Sequence, residues 1–138
     1  MGKQVIITIV QKILPMNNQT DPIEEVIQQQ FVIHFRNTYC LKHHSPRWMA
    51  IHIPNEGKNN ANLIKIGLVP GTADILIIDP NLRSYFIELK AKGKTQKPNQ
   101  VKFQEHCKQI GIPYYLADNI DDAIEIGNKI VREFAFLK

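Results

Sequence analysis

The stretch ADILIIDPNLRSYFIELKAKGK, residues 73–94, decides the fold of this chain. Two apolar runs, ADILIID and YFIELKA, are separated by the short turn-forming segment PNLRS. This pattern predicts two antiparallel strands joined as a hairpin. Side chains two residues apart on a strand share a face, so Glu88 and Lys90 point to the same side. Asp74 opens the first strand, so all three charged side chains are expected at one end of the sheet.

Charged side chains inside apolar runs need an explanation, because burying a carboxylate is costly and two carboxylates repel each other. A divalent cation between Asp74 and Glu88 would remove both costs, and hard oxygen ligands suit Mg²⁺ or Mn²⁺. Such an ion polarises a phosphate and acidifies a bound water, which Lys90 could orient. The alternative is a structural Glu88–Lys90 ion pair with Asp74 capping a loop. The residues alone leave both interpretations open.

A helix is predicted before the hairpin, over about residues 22–39. Its apolar side chains recur four residues apart, at Ile23, Ile27, Phe31 and Phe35. Asp21 is expected to cap this helix, with Pro22 at the first helical position and Glu24 at the third.

The remaining segments complete a mixed α/β domain. RWMAIHIP alternates like a strand, NANLIKIG fits a short helix, and PYYLA fits a short strand. Pro98 is expected to open a helix that Gly111 closes, and IDDAIEIGNKIVREFAF is a closing helix. The predicted fold is one central mixed sheet flanked by helices, in a single domain over residues 21–138. Residues 1–20 form an N-terminal extension of uncertain structure.

Composition narrows the function classes. The 138 residues carry a net charge of +4, and five lysines with no acid lie between Leu89 and Gln104. This run indicates either a solvated loop or contacts with a phosphate backbone. The two cysteines have no paired spacing, so reduced thiols and a cytoplasmic location are expected. The five histidines lack the spacing of a zinc site, and no stretch is apolar for the roughly 18 residues that span a membrane.

Five segments in this order resemble the VRR-NUC branch of the PD-(D/E)XK nucleases, over roughly residues 22–126. They are EEVIQ, IHIPNEGK, GLVPGTAD, FIELKAKGK and KPNQVKFQEHCKQIGIPYYLADNIDDAI. Two positions depart from the family pattern. Ala73 replaces the proline of the motif, and Asn59 follows Lys58 where the family often has arginine. The resemblance implies the restriction-endonuclease-like fold of this superfamily.

The resemblance also implies roles for individual residues. Asp74 and Glu88 would bind Mg²⁺ or Mn²⁺ with help from the backbone carbonyl of Leu89, and Lys90 would activate the attacking water. Glu24 would bind metal through water or a second ion, although it could instead complete a capping box, or Glu25 could replace it. Gln100 would hold Lys90 or the phosphate. The residues expected to contact DNA are Asn55, Lys58, Lys92, Lys94 and Lys97.

The function that follows from the resemblance is metal-dependent hydrolysis of DNA, with 5′-phosphate products and a preference for branched or flapped substrates. A homodimer in the cytoplasm of a bacterium or a phage-infected cell is expected. Two alternatives remain: a restriction-type, sequence-specific endonuclease, and a non-catalytic nucleic-acid-binding module with the same fold. The absence of any added recognition region disfavours the first, and the clustered acids disfavour the second.

Overall fold

A computed structural model describes residues 22–40, 47–54, 67 and 69–136 of the chain. Its elements, in order, are helix α1 (Glu24–Phe35), which continues as a π-helical turn (Arg36–Cys40), strands β1 (Met49–His52), β2 (Ile75–Ile78) and β3 (Ser84–Leu89), helix α2 (Pro98–Ile110), strand β4 (Tyr114–Ala117) and helix α3 (Ile120–Phe136). None of the described helices is long and apolar enough to cross a membrane. The predicted helix in NANLIKIG and the N-terminal extension lie outside the described residues.

The four strands form one mixed sheet in the order β1-β2-β3-β4. β1 pairs antiparallel with β2, and β2 pairs antiparallel with β3, with Ile75 opposite Ile87. β4 runs parallel to β3, because the chain returns through α2 before it enters the sheet again. The predicted hairpin and the predicted mixed sheet are therefore confirmed.

Helices α1 and α3 pack together over the core of the domain. The stripe predicted on α1 is buried at Ile27, Phe31 and Phe35, whereas its first member, Ile23, precedes the helix and is 60% exposed. A Cβ atom at Gly127 of α3 would lie 3.0 Å from ring atoms of both phenylalanines, so glycine permits this close helix contact. Trp48 completes the core, with its ring centroid 5.9 Å from that of Phe35.

The predicted start of α1 is wrong, whereas the predicted limits of α2 are confirmed. α1 begins at Glu24, and Ile23 is the N-cap residue, with no side-chain cap hydrogen bond. Glu24 is therefore the first helical residue, so it does not occupy the third position that a capping box requires. Pro98 begins α2, and Gly111 ends it in the left-handed conformation with φ 80°.

The turn between β2 and β3 is fixed by a buried carboxylate. Asp79 accepts hydrogen bonds from the backbone N–H groups of Asn81 and Arg83, the Arg83 Nε–H and the Tyr85 hydroxyl, at 2.7–2.9 Å. Burial alone would raise the pKa of Asp79, but these donors hold it below its usual value. The turn at this end of the hairpin is thus stabilised by a carboxylate with a full set of partners.

The loop before β2 packs directly on the start of α2. Gly71 has a φ of +83°, and a Cβ atom added there would lie 2.3 Å from the carbonyl oxygen of Asn99. Both observations require glycine at this position. Other residues rarely adopt a positive φ, and the backbone of Asn99 could not make room for a Cβ atom without a large cost. This contact fixes the approach of the loop to Asp74.

We predict that Gly71→Ala destabilises the protein by more than Gly93→Ala does. Gly93 has a similar φ of +81°, but nothing lies within 4 Å of its added Cβ, so it is a matched control for backbone strain alone. Gly93→Ala should lower the free energy of unfolding by about 1 kcal/mol, and Gly71→Ala should lower it by on the order of 2–4 kcal/mol. Urea unfolding monitored by circular dichroism measures both values. Equal losses would show that the contact with Asn99 is unimportant.

Candidate metal centre

Asp74 is held in place by both neighbouring strands. Its backbone oxygen accepts a hydrogen bond from the Ile53 N–H at 2.8 Å and lies 3.0 Å from Nδ1 of His52, at the end of β1. Its side-chain Oδ2 accepts a hydrogen bond from the Leu89 N–H at 2.8 Å, at the end of β3. Burial raises the pKa of Asp74, and the Leu89 amide is the strongest group opposing that rise. The carboxylate is thereby fixed at the end of the sheet.

Glu88 lies on β3 beside Asp74 and is only 1% exposed. Its Oε1 accepts a hydrogen bond from Nε2 of Gln100 at 3.1 Å. Its Oε2 is buried and has no hydrogen-bond partner among the described residues. Burial, followed by the negative charge of Asp74, raises the pKa of Glu88 to about 9. A buried carboxyl oxygen without a donor is an unsatisfied group that a proton or a cation would satisfy.

Glu24 brings a third carboxyl group to the same place from the first turn of α1. One carboxyl oxygen from each of Glu24, Asp74 and Glu88 lies within 4.8 Å of the other two. The structure therefore joins three residues that are 50 and 14 positions apart in the sequence. Glu25 is not part of this cluster and instead lines a groove with Gln28 and His52.

Lys90 extends β3 beyond its last paired residue, and its backbone N–H donates to the carbonyl oxygen of Ala117 at 2.9 Å. The residue is 6% exposed. Its positive charge lowers the pKa of both Asp74 and Glu88, although burial outweighs this effect. Gln100, rather than Lys90, is the hydrogen-bond donor to the Glu88 carboxyl. Lys90 thus supplies positive charge to the centre. It does not form the hydrogen-bonded pair with Glu88 that was the structural alternative.

Gln100 connects the centre to α2. Its Oε1 accepts a hydrogen bond from the Lys97 N–H at 2.7 Å, and its Nε2 faces Glu88. Because one end of the amide caps the helix, the other end is oriented to donate. Gln100 therefore contacts Glu88 directly, and its predicted role towards Lys90 or a phosphate stays a prediction.

The other predicted residues lie around the centre or outside the described part of the chain. Lys92, Lys94 and Lys97 are exposed in the segment between β3 and α2. Asn55 and Lys58 lie outside the described residues, so their predicted roles stay predictions. Leu89 contributes its amide to Asp74, and the metal-binding role of its carbonyl also stays a prediction.

The sequence gives no signal for the contact of His52 with the centre, because the five histidines lack the spacing of a metal site. The ring of His52 contacts the backbone of Asp74, and its charge lowers the pKa of that carboxyl. Only the register of β1 against β2, which places His52 opposite Ile75, brings the two together. No spacing in the sequence encodes that register.

The three carboxyl groups fit a divalent cation of the hard class. All the side-chain donors are oxygens, as Mg²⁺ and Mn²⁺ prefer, and none of the three residues carries a soft ligand. A divalent cation would give Oε2 of Glu88 a partner and would offset the repulsion by Asp74 that helps to raise the pKa of Glu88. The arrangement is therefore a candidate metal centre.

The fold of this chain is similar to that of known proteins. No protein-family model matches the chain, and no curated protein matches it either. A solved structure described as a VRR_NUC domain protein matches 77% of this chain and 85% of its own, at 19% identity and a TM-score of 0.59. Another, described as a VRR_NUC domain, matches 75% of this chain and 91% of its own, at 16% identity and a TM-score of 0.53. The chain therefore has the fold of VRR_NUC domains, as its sequence predicted.

We predict that Glu88→Gln stabilises the protein in EDTA at pH 8. The folded-state pKa of about 9 lies above the ordinary 4.5, so folding favours protonated Glu88 and stability falls as pH rises between these values. The neutral amide avoids this loss and should raise the free energy of unfolding by on the order of 1–2 kcal/mol. At pH 4 the two proteins should differ little.

Urea unfolding of both proteins at pH 4 and pH 8 measures this difference. Glu105→Gln is the control, because Glu105 is exposed on α2 and its neutralisation should change little. A Glu88→Gln protein less stable than the wild type at pH 8 would contradict the burial argument.

Proposed function

We propose that this protein is a divalent-metal-dependent nuclease that hydrolyses phosphodiester bonds in DNA. The observation that carries the proposal is the cluster of carboxyl oxygens from Glu24, Asp74 and Glu88 within 4.8 Å, beside the buried Lys90. A binding module has no need of three acids where it would meet a phosphate, because they would repel it. The VRR_NUC fold supports the same activity.

Glu24, Asp74 and Glu88 are the proposed metal ligands, with the Leu89 carbonyl as a further oxygen donor. Bound Mg²⁺ or Mn²⁺ would supply Lewis acidity to the scissile phosphate and lower the pKa of a coordinated water. Gln100 keeps Oε1 of Glu88 occupied, so Oε2, which has no hydrogen-bond partner among the described residues, is the oxygen proposed to bind the metal. The Leu89 amide does the same for Asp74.

Lys90 is the proposed group that orients the attacking water and offsets negative charge on the phosphate. Its ammonium group is held in a nearly closed environment, where a charge acts more strongly than in water. The exposed Lys92, Lys94 and Lys97 are proposed to contact the DNA backbone, as are Asn55 and Lys58. Lysine contacts of this kind supply affinity and salt dependence without reading the base sequence.

The proposed substrate is branched or flapped DNA, cleaved to leave 5′-phosphate ends, and the proposed working form is a homodimer in the cytoplasm of a bacterium or a phage-infected cell. These points rest on the family resemblance in the sequence. A homodimer would present two metal centres to two strands.

The activity is tested by cleavage of labelled four-way junction, flap, duplex and single-stranded DNA in Mg²⁺, Mn²⁺ or EDTA. We expect metal-dependent cutting that Asp74→Asn, Glu88→Ala and Lys90→Ala each reduce by about a hundredfold or more. Glu105→Ala should cut at the wild-type rate. Cutting by Glu88→Ala at the wild-type rate would show that the centre is elsewhere. DNA binding without cutting of any substrate would favour the binding module.

Metal binding is tested separately by thermal unfolding. Mn²⁺ at a hundredfold excess over its dissociation constant should stabilise the wild type by about 2.7 kcal/mol. Because metal and proton compete for Glu88, whose pKa is raised to about 9, the stabilisation should be larger at pH 8.5 than at pH 6. Glu88→Ala should lose most of the effect, and Glu105→Ala should keep it. Equal stabilisation of both variants would place the ion elsewhere.

A further inference from the structure

A second feature of the described residues is an apolar groove between α2 and the loop before β2. Its volume is about 630 Å³, within the range of roughly 300–1,000 Å³ typical of small-molecule sites. Phe86 of β3 and Phe103 of α2 line it, and Val69 and Ile110, which are 54% and 57% exposed, lie at its rim. The groove is therefore open to solvent but mostly apolar.

The aromatic side chains of the groove are fixed by their neighbours. The rings of Phe86 and Phe103 meet edge to face, with centroids 5.0 Å apart. The ring centroid of Tyr114 lies 6.2 Å from that of Phe103, and the Tyr114 hydroxyl accepts a hydrogen bond from Gln96. Ring positions held in this way before binding lower the entropy lost when a flat ligand packs against them.

The charge of the groove limits what can occupy it. Lys102 and His106 line it, and none of its lining residues in the described part of the chain is Asp or Glu. A flat apolar group attached to an anion therefore complements the groove. A second copy of this chain complements it less well, because joining two such grooves would bury two Lys102 ammonium groups, and no described lining residue of either groove supplies a carboxylate.

The groove adjoins the carboxyl cluster through two elements. Phe86 and Glu88 are two residues apart on β3, so they share a face and their Cα atoms are separated by about 6.6 Å. On α2, Asn99 lines the groove and the next residue, Gln100, donates to Glu88. A ligand in the groove would therefore lie next to whatever occupies the metal centre.

We infer that the groove receives an unpaired nucleobase of the DNA substrate, packed against Phe86 and Phe103, while an adjoining phosphate lies at the carboxyl cluster. The inference rests on the proposed function and adds a reason for selectivity. A base inside a duplex is stacked and paired, so only a base at a flap, a junction or a single-stranded segment enters without the cost of unstacking. Lys102 would contact the backbone of that nucleotide.

The test uses a flap substrate with the fluorescent base 2-aminopurine at the first unpaired position. The full chain carrying Glu88→Gln is used, so that the DNA stays intact. We expect the fluorescence of 2-aminopurine to change on binding, because its stacking partners change. Adding Phe103→Leu, which keeps an apolar side chain but removes the ring, should abolish most of that change and weaken flap binding about tenfold. Affinity for plain duplex should be unchanged.

A matched pair of charge substitutions separates the groove from general electrostatics. Ile110→Asp places a carboxylate at the rim, and Val101→Asp places one on the same helix at a position that is 50% exposed and does not line the groove. Only Ile110→Asp should reduce the 2-aminopurine signal. Both positions are exposed, so both variants should fold, which thermal unfolding verifies.

Equal effects of Ile110→Asp and Val101→Asp, or an unchanged signal with Phe103→Leu, would overturn the inference. A dimer detected by size-exclusion chromatography would also overturn it if Ile110→Asp dissociated that dimer without changing the fluorescence. The groove would then join two copies of the chain. Failure of the proposed function has a different outcome, because wild-type protein would then cut no DNA in any metal. The fluorescence measurement does not depend on cutting, so the two failures are distinguishable.

Discussion

The burial of Glu88 beside Asp74 is the constraint on which the rest of the structure depends. Two carboxyl groups in a nearly dry site repel, and burial alone opposes their ionisation. Single hydrogen bonds, from the Leu89 amide and from Gln100, hold one oxygen of each group. The last residues of β3 and the first turn of α2 thus hold the carboxyl groups of Asp74 and Glu88 in place, at a cost in stability.

The hairpin offers an internal comparison, because it buries a carboxylate at each end. Asp79 and Glu88 are both 1% exposed. Asp79 receives four hydrogen bonds, and its pKa falls below the usual value, whereas Glu88 has one donor, and its pKa rises to about 9. The donors around Asp79 outweigh its burial, whereas burial and the negative charge of Asp74 together raise the pKa of Glu88, so the neighbouring groups decide the direction of each shift. One end of the hairpin stabilises a turn, and the other carries the candidate metal centre.

Helix α2 links the two surfaces for which functions are proposed. Its first turn contacts Glu88 through Gln100, and its following turns line the apolar groove with Phe103 and Ile110. The close contact of Gly71 with Asn99 sets the position of this helix against the loop that leads to Asp74. A shift of α2 would therefore alter both the orientation of Glu88 and the shape of the groove.

The sequence by itself determined the hairpin, the limits of α2 and the meeting of Asp74, Glu88 and Lys90 at one sheet end. These features depend on alternation, on Pro98 and Gly111, and on short separations along the chain, all of which local chemistry controls. Tertiary structure decided the rest. Helix α1 begins at Glu24 without a side-chain cap, and its packing buries Ile27, Phe31 and Phe35 in the core. The contact of His52 with Asp74 and the groove beside Glu88 arise from strand register and helix packing between distant segments, which no local pattern encodes.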